Sequence, residues 1–188
     1  MNEALNRFTE FLLAACSQIS PEYFQLPVAE ADAVYRERVY CYELYHQLRR
    51  LWGNFPFSLG GEVDKEGHPH FENGPYAGAK PDFLVHWPGN MDGNLACVEV
   101  KPGTRSVRSF KDDLRKLTWF NRNAGYHAGI FLVYGREPEI EGWDARIREK
   151  ILRAVRGDAE IDAAAIRVLF HGGPGQVPVM IESDEAGA

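Results

Sequence analysis

The chemistry-bearing stretch of this chain is Lys80-Pro81-Asp82 and, sixteen residues further on, Glu99-Val100-Lys101. Both segments sit in apolar, β-prone surroundings. On a strand, side chains alternate between faces, so Glu99 and Lys101 point one way while Val98 and Val100 point into the opposite layer. Asp82, Leu84 and His86 share one face of the preceding segment by the same rule. An antiparallel hairpin puts the start of its first strand beside the end of its second, which brings Asp82 next to Glu99 and Lys101. Two carboxylates held a few ångströms apart repel unless a cation lies between them. Mg²⁺ suits such a site, because it takes oxygen ligands and keeps several waters; Mn²⁺ is the alternative. A cation there polarises a phosphoryl oxygen and lowers the pKa of a bound water, and a neighbouring ammonium orients that water or offsets developing charge. The competing interpretation is an exposed strand-end Glu–Lys pair, worth about 0–1 kcal/mol.

The elements that must position these residues follow from periodicity. Leu5, Phe8, Leu12 and Ala15 mark one side of an amphipathic helix over 3–18, and Ser20-Pro21 opens a short irregular segment. Val34, Cys41, Tyr45, Leu48 and Trp52 predict a second helix over 30–52, stopped at Gly53-Asn54. Residues 57–63 are expected to be a strand and 65–78 a loop rich in Gly, Pro, His and Asn. Strands over 81–87 and 95–101 are joined by the turn-rich Pro88 to Asn94. A helix over 105–123, an apolar strand over 128–134, a helix over 143–155 and a strand over 166–170 complete the series. The unbroken apolar run at 128–134 belongs in the middle of a sheet covered on both faces. The order predicts an α/β domain, a central mixed β-sheet flanked by helices.

Pro81-Asp82 followed by Glu99-Val100-Lys101 resembles the signature of the PD-(D/E)XK nucleases, and the element order from about Arg38 to Gly135 resembles that superfamily's restriction-endonuclease-like core. The resemblance implies a metal-dependent endonuclease that leaves a 5′-phosphate. It implies that Asp82, Glu99 and the Val100 carbonyl bind the metal and that Lys101 positions the water. The family often adds an acid from the preceding helix. Glu43 matches that place, with Glu62 as the competing candidate. By analogy, such an enzyme acts on DNA ahead of RNA, in prokaryotic defence, mobile-element biology or repair, alone, as a homodimer or in a larger complex. A ribonuclease, or a non-catalytic binding module on the same fold, is the alternative.

Nucleic-acid contact is expected on the helix after the hairpin. Arg108, Lys111, Arg115 and Arg122 recur at helical spacing with Trp119 in the same row, a stripe that could track phosphates and stack on a base. The formal charge of −6 opposes this mildly. The positive charge is local, however: residues 101–122 hold seven Lys or Arg against Asp112 and Asp113. His68 and His70 lack further ligand spacing, even with His46 or His86, and do not predict a zinc site. Gly172-Gly173-Pro174-Gly175 is expected to be a plain turn. Cys16, Cys41 and Cys97 are scattered and odd in number, which argues against a disulfide framework and for a reducing cytoplasm. Leu13-Ala14-Ala15-Cys16 has the look of a lipoprotein cleavage site, but Glu3, Arg7 and Glu10 break the apolar run it needs. No stretch is long and apolar enough to span a membrane. The expectation is one domain over 1–177 and a poorly ordered acidic tail over 178–188.

Overall fold

A computed structural model of the chain describes residues 1–62, 75–76, 78–137, 139–156 and 158–182. His68 and His70 lie outside the described residues. In chain order the elements are α1 (Asn2–Cys16), α2 (Pro21–Phe24), β1 (Leu26–Val28), β2 (Ala31–Val34), α3 (Glu37–Leu51), β3 (Ser58–Gly61), β4 (Phe83–His86), β5 (Asn94–Pro102), α4 (Val107–Ala124), β6 (Ala128–Tyr134), α5 (Trp143–Val155), β7 (Ile166–His171) and β8 (Val179–Ile181). The described residues form an α/β fold around a six-stranded mixed sheet of order β3-β4-β5-β6-β7-β8, beside a small β1-β2 hairpin. β3, β4 and β5 are antiparallel neighbours, β5, β6 and β7 run parallel, and β8 returns antiparallel.

The sheet separates two apolar layers. On one side Val98 and Val100 of β5 with Ile130 and Leu132 of β6 pack under α1 and α3, through Phe8, Leu12, Tyr40, Leu44 and Leu48. On the other, Cys97 of β5 with Phe131 and Val133 of β6 meets Phe110, Leu114 and Leu117 of α4 and Ile147 and Ile151 of α5. Every residue of β6 is buried, as its unbroken apolar run requires of a central parallel strand. The alternation along β5 thus leaves Glu99 and Lys101 on the α4 side. α4 itself is well bounded: the Ser106 hydroxyl accepts a hydrogen bond from the Ser109 N–H at 3.2 Å, and Gly125 closes it at φ +67°.

Two expectations need correction. The helix predicted over 30–52 begins only at Glu37; residues 26–34 fold instead as the β1–β2 hairpin, pairing Leu26 with Val34 and Val28 with Ala31. Its two-residue turn is Ala29-Glu30, with Glu30 in the left-handed region at φ 59°. The alanine- and acid-rich composition of 29–33 mimics a helix, but those five residues are exposed, only Val34 is partly buried, and nothing in this stretch packs as a helical face. The tail expected from residue 178 also begins too early. Val179–Ile181 forms the edge strand β8, anchored by buried Ile181; residues 183–188 lie outside the described ones. Among the described residues no helix is long and apolar enough to cross a membrane.

Candidate active site

Asp82 immediately precedes β4. Phe83 pairs with Val98 in the β4–β5 ladder, so Asp82 stands one step beyond, level with Glu99. The hairpin therefore does what the spacing predicts. Asp82 is fixed by the Val100 N–H, which donates to its Oδ2 at 2.7 Å. Because the N–H and C=O of one strand residue leave the same edge, the Val100 carbonyl faces that side too. Gly61 at the end of β3 completes the wall, and the neighbouring Glu62 N–H donates to the Asp82 carbonyl at 3.1 Å.

Around this hairpin end the fold assembles four carboxyls and two ammoniums. Lys101 Nζ lies 3.1 Å from Glu37 Oε2 and 3.3 Å from Asp113 Oδ2. Lys116 Nζ lies 2.8 Å from Glu99 Oε2 and 3.4 Å from Asp113 Oδ1. Glu37 comes from the first turn of α3, and Asp113 and Lys116 come from the inward side of α4, one turn apart. Cys41, a turn along α3 from Glu37, packs close to the same carboxyls. With Asp82 included and all six groups ionised, the cluster carries a formal charge of −2.

Burial decides how these groups titrate. Glu99 is only 3% exposed, and its Oε1 has no hydrogen-bond partner among the described residues. Burial first, then the neighbouring Asp82 and Asp113, push its carboxyl well above the ordinary value, against the pull of Lys116. Burial likewise pushes Asp82 up to about 6; the Val100 N–H opposes this, and the Glu37 carboxylate adds to it. For Lys101, burial favours the neutral amine, but Asp113 and Glu37 outweigh it and raise its pKa. Lys116 is raised in the same way, chiefly by Glu99. Both lysines are therefore cations at neutral pH, and the two hairpin carboxyls are held in an environment that disfavours their charge.

These residues fit a divalent cation of the hard, oxygen-seeking kind. The donors on offer are carboxylate and carbonyl oxygens, one buried carboxylate oxygen is unpartnered, and the formal charge to be offset is that of one such ion. Among the described residues, no group of three His, Cys, Asp or Glu side chains converges as a self-sufficient metal centre. Lysines stand between the outer acids instead, so a cation here would be held by few protein atoms and keep waters.

The other expected residues are placed differently. Glu43 points elsewhere on α3, where its Oε1 accepts from Gln47 Nε2 at 2.5 Å. Glu62 borders a cavity of about 260 Å³ with Cys41, Tyr45 and Asp82, but its carboxylate pairs with Arg38 Nε at 3.2 Å. The α3 acid that enters the cluster is Glu37, not Glu43: both lie on the expected helix, and the resemblance points to Glu43 while the packing turns Glu37 toward Lys101. Asp113 and Lys116 were also missed, although a signal existed: Asp113 falls in register with Phe110, Leu114 and Leu117 on the apolar side of α4, where an acid demands a partner.

The expected nucleic-acid stripe is occupied from within. Arg115 pairs with Asp158 at 2.9 Å and Glu160 at 2.9 Å, Lys111 approaches Asp158 at 3.6 Å, and Arg122 pairs with Asp162 at 3.3 Å. Trp119 leans on the rings of Tyr76 and Phe120. Arg108 is exposed, with no ion pair among the described residues. His46 is exposed on α3 and His86 ends β4, and neither joins the cluster. In comparisons with known proteins, no family model and no curated protein matches the chain.

Proposed function

We propose that the protein is a divalent-metal-dependent nuclease of PD-(D/E)XK type with a restriction-endonuclease-like core, hydrolysing phosphodiester bonds of DNA. The carrying observation is the cluster itself: Asp82 at the head of β4, level with Glu99 on β5, Lys101 two residues on, and a net formal charge of −2 in a largely buried setting. The order α3, β3, β4, β5, α4, β6 supports the same reading. Asp82, Glu99 and the Val100 carbonyl would hold Mg²⁺ or Mn²⁺, which when bound supplies Lewis acidity toward a phosphoryl oxygen and a more acidic water. Lys101 is kept protonated by Glu37 and Asp113, so it orients water and offsets phosphate charge and does not act as a base. Asp113 and Lys116 hold the two ends of this arrangement in place from α4.

The experiment is cleavage of plasmid, single-stranded DNA and RNA with Mg²⁺ or Mn²⁺ and with chelator. Metal-dependent cleavage that Lys101→Ala lowers by about a hundredfold or more is expected, with an unchanged circular dichroism spectrum. Full activity in Lys101→Ala would sink the mechanism, and RNA-only cleavage would move the substrate. One observation favours a second reading, a non-catalytic module on this fold: Lys116 lies 2.8 Å from Glu99 and offsets part of the charge that a metal would meet. Binding of DNA without cleavage under any metal would establish that reading.

A further inference from the structure

The expected DNA-contacting stripe on α4 is paired with the acidic segment 158–162, which leaves open where a polyanion would bind. Several exposed arginines lack ion pairs among the described residues, Arg49, Arg146 and Arg156 among them, but four of these, Arg36, Arg105, Arg108 and Arg136, flank the hairpin cluster. They gather at one end of the molecule. β5 and β6 are parallel and end level, Pro102 beside Tyr134, so Arg105 and Arg136 lie in the loops that leave their carboxyl ends. Arg105 is near enough to Tyr134 to act on its hydroxyl electrostatically, and its carbonyl accepts from Lys150 Nζ at 3.1 Å. Arg108 follows in the first turn of α4. Arg36 sits between Glu37, which reaches Lys101, and Tyr35, whose hydroxyl accepts from the Arg136 N–H at 2.8 Å. The four arginines thus border the end of β5 that carries Lys101.

We infer that this arginine rim, Arg36, Arg105, Arg108 and Arg136, and not the α4 stripe, is the surface that tracks the phosphate backbone of DNA across the active site. The inference rests on the nuclease reading for its substrate. Arginine forks suit phosphate oxygens bidentately. An exposed cation without an acid partner releases only counterions on binding, whereas Lys111, Arg115 and Arg122 would first have to give up Asp158, Glu160 and Asp162. The rim also has relief: Arg136 stands on the wall of a cavity of about 500 Å³ shared with Phe24, Tyr35 and Pro174. Glu22, on the same wall, and Glu137, beside Tyr35, lie among these arginines without pairing to them, and they set the limit on affinity.

The test is binding of a short fluorescein-labelled DNA duplex, followed by anisotropy in EDTA over a salt series, so that cleavage plays no part. Each phosphate contact is worth about threefold at moderate salt and about 0.9 in the log–log salt slope. Arg36→Ala/Arg136→Ala and Arg105→Ala/Arg108→Ala should each weaken binding about tenfold and flatten the slope by nearly two. Arg36→Lys/Arg136→Lys should recover much of the slope, which a folding defect would not. Lys111→Ala/Arg115→Ala should stay within about twofold of the wild type. The inference is overturned by the opposite ranking, by rim variants that bind like the wild type, or by a wild type that does not bind. Binding through the rim without cleavage under any metal would sink the nuclease reading alone, and cleavage indifferent to the rim would sink this inference alone.

Discussion

α4 carries two charge networks, one on each side, and they behave oppositely. Inward, Asp113 and Lys116 join Glu99, Lys101 and Glu37 in the hairpin cluster. Outward, Lys111, Arg115 and Arg122 meet Asp158, Glu160 and Asp162. Both pair acids with basic side chains at similar distances, lysines alone on the inner side and mostly arginines on the outer. Yet burial lifts Asp82 and Glu99 above their ordinary values, whereas for Asp158 burial is outweighed by the Arg115 hydrogen bond and the carboxyl is held low. The outer network has satisfied acids and contributes modestly to stability. The inner one has acids that are costly as anions, which is the condition of a site that needs something from outside.

The largest effect that could break this contrast is on stability. Asp82 moves from 3.8 to about 6 on folding. Between those values the folded protein binds more protons than the unfolded chain, so stability falls as pH rises, and the loss is complete above about 6. That rise corresponds to about 3 kcal/mol as an upper limit. Asp82→Asn, which keeps an acceptor for the Val100 N–H, should therefore raise Tm by several degrees at pH 8. The gain should shrink as pH approaches 4, while cleavage is lost. Added Mg²⁺ should raise the Tm of the wild type and not of the variant. A pH-independent change, or a lower Tm at pH 8, would mean that Asp82 is an ordinary satisfied carboxylate.

Next in size is the identity of the α3 acid. Glu37→Gln removes a charge 3.1 Å from Lys101 and should lower cleavage by about 10- to 100-fold, the usual range for a partner that orients a site residue. Glu43→Gln and Glu62→Gln should stay near wild type, since those acids face Gln47 and Arg38. Cleavage rates of the three variants at saturating metal decide it; a dominant loss in Glu43→Gln would restore the sequence-based choice.

That comparison also shows what was legible beforehand. Asp82, Glu99 and Lys101 could be placed together because strand alternation and hairpin antiparallelism are nearly rigid rules. The strand 128–134 and the helix 143–155 were legible in full, since period and length agree there. Glu37 was not, because which acid of one helix turns toward the hairpin is set by tertiary packing; the start of that helix was hidden too, since helix propensity in 29–33 concealed a hairpin with a positive φ at Glu30. β8 was hidden by its shortness and by the acidic residues that follow it. The fate of the α4 stripe was not legible at all. Whether a lysine faces water or an aspartate some forty residues away is a property of tertiary packing that periodicity does not encode.

The smallest effect sharpens the contrast from its outer side. Asp158 is held below its ordinary value, so its contribution is present above pH 3.8 and is lost as pH falls through the folded value. Asp158→Asn leaves Arg115 with Glu160 at 2.9 Å and Asp112 at 3.8 Å, and Lys111 free to turn to solvent. Such a solvent-accessible pair contributes little to stability, and high salt screens most of it. The variant should therefore lose a few degrees of Tm in low salt, little in high salt, and no cleavage activity. Asp113→Asn, on the inner side, should respond far less to salt, because its lysine partners are shielded from solvent. If the two variants showed the same salt dependence, the two networks would be one continuous surface feature, and the case for treating the inner one as a site would fail.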